Sequence, residues 1–210
     1  MERARSELDW KAFDAIAAKM PNQHPTKLKY LEIEKRFQEM WNEATRLDLH
    51  LRPRETVLDI GTGAGHFPYV CRYLGHEALA LDRPGARFFD ELRAWIGVDV
   101  IRHTIAPKQP LPSFPTRFET VTAFRIGFNR KDVSGLKGVS DLFDLGDWGY
   151  FLDDLRDNVL SPRGRLVMKL NWQPKHRGLH YGDSELMAFF QARGAMFADE
   201  GRYLTFDPLL

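Results

Sequence analysis

The sequence contains one cysteine, Cys71, in 210 residues. A lone cysteine closes no intrachain disulfide, which excludes a disulfide scaffold and fits a reducing compartment. No apolar run approaches the roughly 18 residues that a membrane-spanning helix needs. The opening residues Met1 to Glu7 lack the apolar stretch of a signal peptide, so the expected location is cytoplasmic. Neither sign of charge is in excess, with 30 Lys and Arg against 29 Asp and Glu and a net charge of +1. That balance argues against wholesale nucleic-acid binding and leaves room only for a local basic patch. Internal repeats and low-complexity segments are also missing, so solenoids and linker-like chains are excluded. What remains, at 43% hydrophobic and 28% charged residues, is the composition of a globular domain with room for a short appendage.

The first fifty residues read as helical. Leu8, Trp10, Phe13, Ile16, Ala17 and Met20 recur at three- and four-residue steps. Pro21 to Pro25 interrupts them, and a second amphipathic stretch carries Leu28, Leu31, Phe37, Met40, Trp41, Ala44 and Leu47. From Thr56 the texture changes to short β-rich runs alternating with helical segments. Strands are expected at 56–60, 78–81, 98–101, 118–124 and 165–170, with helices at 65–74, 86–96, 148–160 and 183–192 between or after them. Ser161-Pro162-Arg163-Gly164 reads as the turn into the fifth strand. Residues 196–198 and 202–206 read as a closing hairpin. Such alternation predicts a parallel sheet covered by helices on both faces. The expected division is a helical extension over 1–51 and a sheet domain over 52–210, with the extension a candidate lid.

The residues that carry most chemistry are Asp59-Ile60-Gly61-Thr62-Gly63-Ala64-Gly65, where a hydrophobic strand runs into three alternate glycines and then a helix. The turn falls at the carboxyl end of the first strand, where open α/β sheets bind ligands. Two common glycine-rich signatures fail. The dinucleotide fingerprint G-x-G-x-x-G would need glycine at His66, and the phosphate-binding P-loop would need a lysine that is absent. Asp82 closes the second strand, 21 positions after Gly61, where a carboxylate can accept both hydroxyls of a ribose. The acid-x-Gly-x-Gly-x-Gly spacing with Asp82 resembles class I S-adenosylmethionine-dependent methyltransferases. Phe118 to Phe124 resembles the fourth strand of that family, and Leu160 to Leu166 its entry to strand five.

The resemblance, covering about residues 52–210, implies a three-layer α/β sandwich with a seven-stranded, mostly parallel sheet containing one antiparallel strand. It implies S-adenosylmethionine as cofactor. The Gly61–Gly65 turn, Thr62 included, would then meet the amino-acid tail and sulfonium, and Asp59 would reach toward the ammonium. Asp82, with Arg83 beside it, would hold the ribose. Thr104 and Ile105 would flank the adenine, and Phe124 would complete the cofactor site. Acceptor contacts would come from Arg125, Asn129 and Asn171. His103 is the best-placed histidine for proton removal, yet no catalytic residue is assigned. Arg125 to Arg130 does not match the Asn/Asp-Pro-Pro-Tyr/Phe motif of adenine and glutamine N-methylation. His176 and His180 lack partners at metal-binding spacing. The expected reaction is methyl transfer to a small-molecule acceptor, without a nucleic-acid or membrane partner. Methylation of RNA or protein, and a noncatalytic S-adenosylmethionine-binding module, stand as alternatives.

Overall fold

A computed structural model describes residues 6–20, 28–85, 87–128, 142–171 and 183–210. Asn129, His176, His180 and the Pro21–Pro25 break lie outside these residues. The chain divides into two compact units, 1–102 and 103–210.

In the first unit, α1 (Trp10–Ala18) begins at Asp9, whose carboxylate accepts the Ala12 N–H at 3.0 Å as an N-cap. A short 3₁₀ turn (Lys29–Leu31) leads to α2 (Ile33–Arg46), which buries Ile33, Phe37 and Ala44. Strand β1 (Thr56–Ile60) pairs in parallel with β2 (Glu77–Asp82), with Asp59 opposite Ala80. Between them runs α3 (His66–Tyr73). Helix α4 (Arg87–Trp95) leads to β3 (Val100–Arg102), which pairs in parallel with β2. Ile16 and Met20 from the N-terminal segment, Phe88 and Leu92 from α4, and Ala64 from the glycine turn form one buried cluster. Removing those apolar side chains from water at about 25 cal/mol per Å² is what holds the N-terminal helix on the unit. Phe13, Tyr30, Phe89 and Trp95 pack around the cluster, and the Trp95 indole N–H donates to the Asp9 carbonyl at 2.7 Å.

In the second unit, β4 (Phe118–Phe124) pairs in parallel with β5 (Leu160–Lys169). Helix α5 (Leu145–Asp154) starts in a capping box between Asp144 and Asp147 and passes into a π-helical turn (Leu155–Val159). Helix α6 (Ser184–Ala192) precedes β6 (Ala195–Ala198) and β7 (Tyr203–Phe206). Strand β7 runs antiparallel to both β5 and β6. The seven strands follow the order β3-β2-β1-β4-β5-β7-β6. This is the mostly parallel α/β sheet with one antiparallel strand that the sequence leads one to expect.

Two local expectations differ. The helix expected at 148–160 starts earlier, because Asp144 caps it, and its last residues form the π-helical turn rather than regular helix. Ser161 to Gly164 is not a turn before strand five but lies inside β5, where the register against β4 shifts between Phe118 and Thr120. Gly164 makes this irregularity possible, since a Cβ there would lie 2.6 Å from the Phe118 carbonyl oxygen.

Candidate functional site

The glycine turn joins β1 to α3. Its start is tied to the neighbouring strand, because the Leu81 carbonyl accepts from the N–H of Gly61 at 2.7 Å and of Thr62 at 3.3 Å. Its end is tied to itself by Gly65 N–H donating to the Thr62 carbonyl at 3.1 Å. Gly65 has φ +80° and is the N-cap of α3. A Cβ at that position would meet both Arg93 Cγ and Val98 Cγ1 at 3.1 Å. The third glycine is therefore demanded twice, by its left-handed backbone and by the side chains that pass beneath it. Gly63, at φ +58°, faces the ring of Tyr30.

Tyr30 reaches the turn from the N-terminal segment, lying parallel to the His66 ring at a centroid distance of 6.3 Å and edge-on to Phe89 at 4.9 Å. His66 also meets Phe37 edge-on. Burial pushes the His66 pKa down to about 3, and nearby Arg36 adds to the effect. The imidazole is thus a neutral packing group rather than a proton carrier near neutral pH. Asp59, one position before the end of β1, is buried.

At the end of β2, Asp82 Oδ1 accepts the Arg83 N–H at 2.9 Å, and Oδ2 pairs with Arg93 at 2.8 Å. The Arg83 side chain is exposed. The Arg93 side chain is only 2% exposed and that of Asp82 14%. The same guanidinium donates to the Gly63 carbonyl and to Asp90. Asp90 also accepts from Arg102 at the end of β3, at 3.2 Å. Desolvation works against its charge, but the bonds from Arg93 and Arg102 outweigh that and hold the Asp90 carboxyl below its ordinary range. Asp59, Gly61, Thr62, Gly63, Gly65, Asp82 and Arg83 therefore gather at the carboxyl ends of β1 and β2. Arg93 and Tyr30 join them, although no motif marks either one.

The other expected residues belong to the second unit. Thr104 is exposed and Ile105 half-buried, both in the segment after β3. His103 beside them is half-buried, with Nε2 buried and lacking a hydrogen-bond partner among the described residues. Burial lowers its pKa, and Asp154 partly opposes that. Phe124, at the end of β4, stacks on Tyr203 at 6.5 Å. Arg125 follows with φ +57°, and its N–H donates to the Lys169 carbonyl at 2.7 Å. The Asn171 amide N–H donates to the Arg125 carbonyl. Arg125 and Asn171 are thus brought together, with one Asn171 donor spent on the backbone.

The donor set fits S-adenosylmethionine. A turn without lysine suits a ligand without phosphate, and Asp82 offers a carboxylate at the strand end. The Thr62 hydroxyl is buried with no partner among the described residues, an orphan polar group within the turn. Among the described residues, no group of three or more His, Cys, Asp or Glu is arranged to hold a metal ion.

Comparison with solved structures gives 16% identity and a TM-score of 0.51 to S-adenosylmethionine-bound CalS10, over 81% of this chain and 89% of that one. The chain has the class I methyltransferase fold. CalS10 is described as an amino pentose methyltransferase from Micromonospora echinaspora involved in calicheamicin biosynthesis. The antibiotic-resistance methyltransferase Kmr is 22% identical over 76% of this chain and 90% of its own, with a TM-score of 0.46. The glycopeptide N-methyltransferase MtfA is 16% identical over 70% of this chain and 62% of its own, with a TM-score of 0.42. No family model matches the chain, and no curated protein matches it.

Proposed function

We propose that the protein transfers a methyl group from S-adenosylmethionine to a small-molecule acceptor. The observation that carries this reading is the Asp82 carboxylate held beside the Gly61–Gly65 turn on a class I methyltransferase fold. The cofactor would supply a methyl group already activated on a sulfonium, so the protein's share is alignment and the exclusion of competing water. The glycine turn would accept the amino-acid tail at short range, and the Thr62 hydroxyl would gain a partner there. Asp59 would face the ammonium and Asp82 the ribose hydroxyls, with Arg83 at the rim. Thr104 and Ile105 would line the adenine side and Phe124 the transfer side. Arg125 and Asn129 would meet the acceptor, and Asn171 would act chiefly by fixing the Arg125 backbone. Tyr30 would close over the turn from the N-terminal extension, bringing that residue of the extension into the site.

A small acceptor is favoured by the even charge of the chain, and by CalS10, an amino pentose methyltransferase that shares the fold. The test is incubation with labelled S-adenosylmethionine and fractionated metabolite, RNA and protein pools. Label in a small-molecule fraction supports the proposal. Label confined to RNA or protein replaces the acceptor class, and cofactor binding without transfer to any pool points to a binding module.

A further inference from the structure

Arg93 occupies an unusual place for a charged side chain on an amphipathic helix. It is 2% exposed, and its guanidinium serves three acceptors on three segments: the Gly63 carbonyl in the turn after β1, the Asp82 carboxylate at the end of β2, and Asp90 on α4. Asp90 in turn meets Arg102 at the end of β3. The Arg93 stem passes so close to Gly65 that a Cβ there would sit 3.1 Å from Arg93 Cγ. One side chain therefore touches three of the features that mark the site in the sequence, namely the second glycine, the third glycine and the acid at the end of β2.

The energetics say why this matters. Burying an ion pair seldom stabilises a fold relative to apolar packing, because desolvation offsets the attraction. Arg93 also leaves its Nε buried without a partner among the described residues. What such a group supplies is geometry, since a planar fork fixes the angle as well as the distance of each acceptor. Asp82 has its other oxygen on the Arg83 N–H, so its carboxylate plane is held from both sides.

We propose that Arg93 is a positioning residue of the cofactor site: it locks the glycine turn and the ribose-facing carboxylate into one unit, so that the amino-acid and ribose ends of the ligand are read in a fixed relation. This rests on the S-adenosylmethionine reading above. Lysine in its place keeps the charge but, as a single ammonium on a flexible stem, does not reproduce the fork. Methionine keeps most of the stem and removes the head.

The experiment is calorimetric titration of the whole chain and its Arg93→Lys, Arg93→Met and Asp90→Asn variants. The probes are S-adenosylhomocysteine, which spans both ends, and 5′-methylthioadenosine, which lacks the amino-acid tail. Melting temperatures are measured alongside, so that binding is read well below each variant's transition. For Arg93→Met the expected result is at least a roughly tenfold loss of S-adenosylhomocysteine affinity, the scale of a misplaced ligand contact. The loss for methylthioadenosine should be smaller by about threefold or more, because that ligand misses the turn. Arg93→Lys should fall between parent and Arg93→Met, and Asp90→Asn should lose less than either. A folded Arg93→Met that binds S-adenosylhomocysteine within about twofold of the parent overturns the role. Equal losses for both ligands overturn the coupling of the two ends. If Arg93→Met does not fold, parent-like binding by Arg93→Lys overturns the proposal instead. A parent that binds neither ligand defeats the cofactor reading itself, a result distinct from normal parent binding with indifferent variants.

Discussion

Gly65→Ala tests the account of the turn quantitatively. The residue sits at φ +80°, where a Cβ costs about 1–2 kcal/mol from backbone sterics alone. The new methyl would also lie 3.1 Å from Arg93 Cγ, 3.1 Å from Val98 Cγ1 and 3.2 Å from Val98 Cβ. Arg93 is pinned by three acceptors and Val98 is buried, so neither gives way cheaply. Overpacking of this kind costs about 1–3 kcal/mol more. The sum, about 2–5 kcal/mol, is a large part of a typical domain stability of about 5–15 kcal/mol. A control separates the two contributions: Gly75 has φ +95° with nothing within 4 Å of its would-be Cβ. Gly75→Ala should therefore lose only the backbone part, about 1–2 kcal/mol. Urea unfolding followed by circular dichroism gives both losses, with an unchanged m-value showing that the transition stays comparable. Equal losses at the two positions would refute the packing argument, and a loss below about 1 kcal/mol at Gly65 would refute the strain argument as well.

Three further outcomes follow from other parts of the structure. His66 has its pKa lowered to about 3 in the folded protein against about 6.5 when exposed, so its contribution to stability is complete above pH 6.5 and is lost as pH falls toward 3. Between pH 6.5 and 4 the parent should lose about 3 kcal/mol more than His66→Leu, read from urea curves at each pH, and parallel losses would show that the imidazole is not held neutral. Asp144→Ala removes one half of the capping box on α5 and should cost about 1 kcal/mol, whereas Asp144→Asn should cost a few tenths, both measured by thermal unfolding. Gly164→Ala drives a methyl to 2.6 Å from the Phe118 carbonyl oxygen and should cost at least about 3 kcal/mol or displace β5 from β4. A stability within 1 kcal/mol of the parent would mean that the irregular register is adaptable.

Much of the fold is legible because each β-rich run ends in a glycine or a charged residue, and each helix carries a periodic apolar face. The segment from Thr56 to Asp82 shows both signals, and its strand, turn, helix and strand appear close to the expected bounds. The entry to β5 is less legible for a physical reason. Pro162 and Gly164 are local turn formers, but here they accommodate a register shift within a strand, which only the pairing with β4 decides. At the site, Gly61, Gly63, Gly65 and Asp82 are visible because spacing alone reports a turn and a strand end. Arg93 and Asp90 are not. A charge pair three residues apart on a helix reads as a solvated face, and nothing local says that this arginine turns inward. The one hint is negative: Arg93 falls beside Phe89 and Leu92 on the stripe that otherwise packs inward. Tyr30 escapes notice similarly, since its neighbours Gly63, His66 and Phe89 are all more than thirty positions away along the chain.

The central claim, that the turn after β1 and the acid at the end of β2 form an S-adenosylmethionine site, is tested most directly by titrating S-adenosylhomocysteine into the parent and into Asp82→Ala. The account predicts one saturable site in the parent and an affinity at least about tenfold weaker in the folded variant. No binding by the parent, or equal binding by both proteins, would contradict it.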